Sequence, residues 1–271
     1  MSNLESIATR WAQDRGDVHA LVLVGSRART DERADEWSDH DFVVVVDDEI
    51  SYLRDDEWIV ELGPALLSFV EDAAAGGLRE RRVLFADGTA ADFTLLPLAR
   101  VDAVLARPDV ASVLARGVRV LVDKGVLEPL PTEARSAASE DYAALVHEFW
   151  YRAIFAARKL RRGELHVAVQ GCNCALRTLL RRALALEARA AGRDAWHDGR
   201  FFERWADPDR RTRMARTIAL EDHSQAASAI YAACELFSDV CCALQDIHGF
   251  EVSINLPAVR GQLDAVLAAS P

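Results

Sequence analysis

Three aspartates and a glycine-serine pair carry the residue types and spacing for joint chemistry. Asp39 and Asp41 stand two apart at the start of the apolar run Phe42-Val-Val-Val-Val46, and Asp92 lies in a second run, Thr89-Ala-Ala-Asp-Phe-Thr-Leu-Leu96. Side chains alternate along a strand rising roughly 3.3 Å per residue, so Asp39 and Asp41 are predicted to share a face, with Cα atoms about 6.6 Å apart. Phe42, Val44 and Val46 then take the other face, and Asp92 can bring a third carboxylate from a different strand. Such carboxylates repel by roughly 4 kcal/mol per close pair at an effective dielectric of about 20, and a divalent cation relieves that repulsion. Magnesium is commonly held by one or two carboxylates plus substrate phosphates, so this set points to a phosphate-bearing co-substrate. Two ions about 3.5–4 Å apart can stabilise the attacking and leaving oxygens of an in-line phosphoryl displacement.

Gly25-Ser26 follows the apolar run His19-Ala-Leu-Val-Leu-Val24. Glycine lets backbone approach a phosphate closely, the freed N–H groups point outward, and Ser26 adds a hydroxyl. Arg27 or Arg29, on a helix expected to begin there, would neutralise charge on a leaving pyrophosphate.

The elements that must position these groups are legible as patterns. Leu4 to Gln13 reads as an amphipathic helix with Leu4, Ile7, Ala8 and Trp11 on one face. His19–Val24 and Asp39–Asp47 read as buried strands, and Arg82–Asp87 with Thr89–Leu96 as a hairpin about Asp87-Gly88. Val118–Val122 suits one more strand. Two prolines in Glu128-Pro-Leu-Pro-Thr132 predict a boundary, giving domains 1–130 and 131–271. Beyond it Glu140–Arg162, Glu164–Ala191, Pro208–Leu220 and Ser224–His248 read as helices, with Gly163 and Gly192 as stops. The expected class is therefore α+β: a mixed sheet with flanking helices, then a helical bundle.

All the excess acid lies early. Residues 1–100 hold 21 Asp/Glu against 10 Lys/Arg, whereas the later residues balance at 22 and 22. That field disfavours polynucleotides and favours metal ions or polycationic small molecules. No run approaches roughly 20 uninterrupted apolar residues and the N-terminus lacks the order of a signal peptide, so a soluble, cytoplasmic protein is expected. The five cysteines, Cys172, Cys174, Cys234, Cys241 and Cys242, lack zinc-site spacing and read as reduced structural thiols.

Strand, Gly-Ser, Asp-x-Asp strand and Asp-bearing strand occur here in the order of the polymerase-β-like nucleotidyltransferases. Val24-Gly-Ser-Arg27, Trp37-Ser-Asp-His-Asp-Phe42, Asp87-Gly-Thr-Ala-Ala-Asp-Phe-Thr-Leu-Leu-Pro-Leu98, Val120-Leu-Val-Asp-Lys-Gly125 and Glu148-Phe-Trp150 together resemble the aminoglycoside 6-adenylyltransferase (streptomycin adenylyltransferase) family. The resemblance implies an N-terminal nucleotidyltransferase domain and a helical domain, with ATP and Mg2+ as co-substrate and cofactor. The reaction implied is AMP transfer to a hydroxyl of a cationic aminoglycoside, with release of pyrophosphate. It further implies Asp39 and Asp41 as metal ligands, Gly25 and Ser26 as phosphate contacts, and Asp92 as third ligand or general base. Glu148 would bind the cationic acceptor or act as base, or is simply a helix-surface residue. Trp150 and Tyr151 are candidates for ring stacking or core. Arg158 and Arg162, four apart on one helix face, would reach triphosphate or form a solvated basic face. The pattern departs from the family over Trp196–Trp205, and the acidic loop Asp31–Glu36 carries no assigned role, which leaves open another acceptor such as a lincosamide. A non-catalytic nucleotide-binding protein of the same fold would be expected to lack one of the carboxylates. His197 and His223 read as ordinary surface or core histidines.

Overall fold

The computed structural model describes residues 3–29, 34–127, 130, 139–196, 199–249 and 252–268. The chain divides into two compact units, Met1–Ser136 and Ala137–Pro271. The proline-marked boundary at 130/131, residues 31–33 of the acidic loop 31–36, and His197 lie at or among residues outside the described ones.

The first unit is a six-stranded mixed sheet. Its strands are β1 (Val18–Val24), β2 (His40–Val46), β3 (Ala65–Asp72), β4 (Arg79–Phe85), β5 (Ala90–Pro97) and β6 (Arg119–Asp123), in the spatial order β3-β4-β5-β2-β1-β6. β2 runs antiparallel to β1 and parallel to β5, and the other pairs are antiparallel. Central position explains the composition of β1 and β2: both faces are covered, so their branched runs are almost continuously apolar. On one face α1 (Asn3–Asp14), α2 (Glu49–Arg54) and α3 (Glu57–Val60) place Leu4, Ala8, Trp11, Tyr52 and Trp58 over Leu21, Phe42, Phe93 and Leu95. On the other, α4 (Val101–Leu105) and α5 (Pro108–Leu114) put Val101, Val104 and Leu114 over Ala20, Val22, Val45 and Leu96. The Asp87-Gly88 hairpin forms as the sequence indicates, with Gly88 at φ +86°.

The second unit is helical: α6 (Ser139–Arg161), α7 (Leu165–Gln170), α8 (Arg177–Ala190), α9 (Phe202–Trp205), α10 (Pro208–Ala215), α11 (His223–His248) and α12 (Leu256–Ala268). The helix expected over Glu164–Ala191 is interrupted by a π-helical turn, Gly171–Leu176, where the Asn173 side chain bonds Ala219 through both its amide nitrogen and its oxygen. Residues 223–246 of α11 are long and apolar enough to cross a membrane, but here they build the core, with Phe237 stacked on Phe149 at 3.7 Å. Cys172 and Cys234 are buried free thiols.

Candidate active site

The end of β1 and the start of β2 are adjacent because Val24 pairs with Asp41. Gly25 follows at φ +67° and opens a single 3₁₀ turn, Gly25–Arg27, closed by Ala28 N–H donating to the Gly25 carbonyl at 3.2 Å. A Cβ on Gly25 would stand 1.8 Å from Asp41 Oδ2, so backbone and carboxylate meet at a distance only glycine permits. Ser26 is 7% exposed and its Oγ has no hydrogen-bond partner. A buried hydroxyl without a partner costs about 1–3 kcal/mol, which a ligand oxygen would recover.

The Arg27 guanidinium is engaged differently from the sequence expectation. Nε donates to the carbonyls of Ser38 and Asp39, both at 3.1 Å, and Nη2 to those of Ser38 at 2.6 Å and Asp35 at 3.4 Å. These donors brace the segment entering β2. A planar fork of N–H groups suits a cluster of carbonyls as well as it suits phosphate, which is why the residue type alone did not separate the two roles.

Asp41 and Asp92 are paired residues on the parallel strands β2 and β5, and Asp39 lies just before β2. One carboxylate oxygen from each of Asp39, Asp41 and Asp92 falls within 4.8 Å of the others. The intervening His40 is buried, stacked on Phe42 at 5.8 Å, so the alternation expected from sequence is the alternation seen. Three hard anionic oxygens, partly exposed and open to water, fit a magnesium-like ion.

The carboxyl of Asp92 is strongly perturbed. Burial pushes its carboxyl up to about 7; Arg82, at 3.4 Å, opposes this, while Glu80, Asp41 and Asp39 add to it. Because the folded state binds this proton more tightly than the unfolded state, the contribution to stability is complete at acid pH and is lost as pH rises through about 7. A metal must displace the same proton. The rise in melting temperature on adding Mg2+ is therefore expected to be small at pH 6 and substantially larger at pH 8. A shift that does not vary between these values in a thermal melt would contradict it.

Arg82 is a residue that sequence reasoning did not single out. It reaches Glu71 at 2.6 Å, Glu80 at 3.0 Å and Asp92 at 3.4 Å, and Glu80, itself buried, also accepts from Thr94 Oγ1 at 3.2 Å. The available signal was the charged run Arg79-Glu-Arg-Arg82 beside the Asp-Gly turn, although its partners depend on the β3-β4-β5 pairing. Arg82→Met leaves the buried Glu80 without its cation and is expected to lower stability by about 2–3 kcal/mol, measurable by denaturant titration.

Glu148 and Arg158 belong to α6 of the second unit. Glu148 is partly exposed, 3.6 Å from Arg152 and 3.9 Å from Arg182. Arg158 lines an open concavity of about 500 Å3 with Phe155, Lys159, Arg161 and Arg162 of α6 and Ala265 and Val266 of α12. Arg162 is paired with Glu164 at 3.0 Å. Trp150 is core and Tyr151 is exposed.

A model of the streptomycin adenylyltransferase family matches residues 2–258, a span that takes in the Gly25 turn, all three aspartates and most of the helical unit. The chain belongs to that family. It is a family of nucleotidyltransferases, and within it this chain is 27% identical over 191 residues to an aminoglycoside 6-adenylyltransferase of Campylobacter jejuni, covering 66% of this chain and 64% of the relative. It is 24% identical over 195 residues to one of Staphylococcus aureus, covering 66% of each. The chain thus spans just under two thirds of the length of these curated relatives. A crystal structure of an aminoglycoside 6-adenyltransferase from Bacillus subtilis superposes with a TM-score of 0.49 at 16% identity, over 99% of this chain and 100% of that one. Family membership agrees with the observed α+β class, a mixed sheet followed by helices.

Proposed function

We propose that this member of the streptomycin adenylyltransferase family transfers AMP from ATP to a hydroxyl of a streptomycin-like aminoglycoside, with Mg2+ bound and pyrophosphate released. The observation carrying this reading is the convergence of Asp39, Asp41 and Asp92 beside a glycine turn whose Ser26 hydroxyl is buried and unpartnered. Three carboxylates so close repel one another. With a metal and a nucleotide phosphate added, that repulsion would be relieved and the Ser26 hydroxyl would gain a partner.

Asp39 and Asp41 would hold the metal from the β2 side and Asp92 would close the site from β5. The bound metal would supply charge neutralisation at the phosphoryl oxygens. Ser26 Oγ donates to a phosphate oxygen, and the Gly25 turn lets the chain approach it. Arg27 fixes the Asp35–Asp39 segment so that the carboxylates do not need to reorganise during the reaction. Asp92 would either complete the ligand set of the metal or, if left free of it, accept the proton of the attacking hydroxyl. The nucleotidyltransferase function is assigned to residues 1–130 and acceptor binding to the helical residues 131–271, where Glu148 would anchor a cationic group and Arg158 a phosphate. The aminoglycoside 6-adenylyltransferase names of the matched relatives and the acid excess of the first hundred residues support a polycationic acceptor.

The test is incubation of the purified chain with Mg2+, each labelled nucleoside triphosphate and an aminoglycoside panel. Pyrophosphate release with a nucleotide-sized mass gain on one aminoglycoside is the expected result. Release of pyrophosphate with no mass gain on any of them would remove the acceptor.

A further inference from the structure

Trp37 is 86% exposed, whereas the other five tryptophans, Trp11, Trp58, Trp150, Trp196 and Trp205, are 3–6% exposed. An indole left in water forgoes the burial that dominates the energetics of this side chain. It is not on a loose segment. Trp37 N–H donates to Asp35 Oδ1 at 3.1 Å, Ser38 Oγ donates to the same oxygen at 2.8 Å, and Asp35 N–H donates to Ser38 Oγ at 3.0 Å. The Arg27 guanidinium grips the carbonyls of Asp35, Ser38 and Asp39 from the other side. The turn is therefore built, and it displays an indole two residues before Asp39, flanked by the exposed carboxylates of Asp35 and Glu36.

We infer that Trp37 is a specificity residue whose ring face receives an ammonium or guanidinium group of the acceptor, an inference that rests on the aminoglycoside reading above. An aromatic face and carboxylates within three consecutive residues attract a cation by the ring quadrupole and by charge together. The same carboxylates repel a triphosphate, so the nucleotide is the disfavoured occupant. Contacts of this kind change binding by about two- to thirtyfold. Trp37→Ala is accordingly expected to raise the KM for the aminoglycoside within that range and leave the KM for ATP unchanged, while Trp37→Phe recovers most of the loss.

The direct readout is acrylamide quenching of tryptophan emission, since Trp37 supplies the accessible fraction and Trp37→Phe should abolish it. Aminoglycoside is expected to protect the indole, and a non-hydrolysable ATP analogue with Mg2+ is expected not to. Protection by the nucleotide alone would overturn the inference. Quenching reports on Trp37 and pyrophosphate release reports on the reaction, so their failures separate. Transfer to an aminoglycoside with an unprotected indole removes this proposal and keeps the reaction. Protection without transfer keeps the cation site and removes the reaction, and absence of both removes both.

Discussion

Gly25→Ala is expected to reduce kcat/KM by at least about a hundredfold, because displacing a reacting group by roughly 1 Å costs that much. The added methyl would lie 1.8 Å from Asp41 Oδ2, and contacts under 3.0 Å are essentially never seen for real Cβ atoms, so the carboxylate or the turn has to move by more than an ångström. The positive φ of +67° adds roughly 1–2 kcal/mol of backbone strain to the folded state. The two effects are separable with Gly125→Ala, at φ +85° with no atom within 4 Å of the added Cβ. That variant should lose stability of similar size in a thermal melt and retain wild-type kinetics. Equal kinetic losses in the two variants would mean that strain, and not the close approach to Asp41, is responsible.

Asp41→Asn is expected to have the larger effect. It removes a charged ligand whose metal contributes several kcal/mol of charge stabilisation, corresponding to about a thousandfold or more in kcat. Stability should move in the opposite direction. Two carboxylate oxygens within 4.8 Å of each other repel by about 3 kcal/mol or more at an effective dielectric of 20, and solvent reduces the realised value to about 1 kcal/mol. In the presence of a chelator the variant should melt slightly above the wild type, and on adding Mg2+ the order should reverse. A variant both inactive and less stable under every condition would point to a structural role for Asp41.

The parts of the site that were readable from sequence are those that local chemistry determines. Strand alternation places Asp39 and Asp41 opposite His40 and Phe42 whatever the rest of the chain does, and Gly25 after a buried strand requires a turn. That Asp92 comes from a different strand was readable, but its pairing with Asp41 comes only from the parallel β2-β5 register, since nothing in either run names the other. Strand β3 went unread for a different reason. Leu66, Leu67 and Phe69 are exposed on this edge strand, so Ala65–Asp72 shows no alternation between a buried and a solvated face, and its place in the sheet comes from backbone pairing with β4. The contacts of Arg27 with Asp35, Ser38 and Asp39 depend on a chain reversal invisible to spacing. Helix α12 begins after Asn255 and buries little beyond Leu263, so its hydrophobic periodicity is weak. The π-helical turn in 171–176 has no spacing signature, and the Asn173–Ala219 bonds that accompany it are tertiary.

Counting bound Mn2+ by electron paramagnetic resonance, with a non-hydrolysable ATP analogue present, tests the metal assignment most directly. Wild-type protein is expected to lower the signal of free Mn2+ well below that of a protein-free mixture of Mn2+ and the analogue near pH 8, and Asp41→Asn at the same protein concentration to leave it close to the protein-free level. Equal binding by the two proteins would contradict the assignment of Asp39, Asp41 and Asp92 as the metal site.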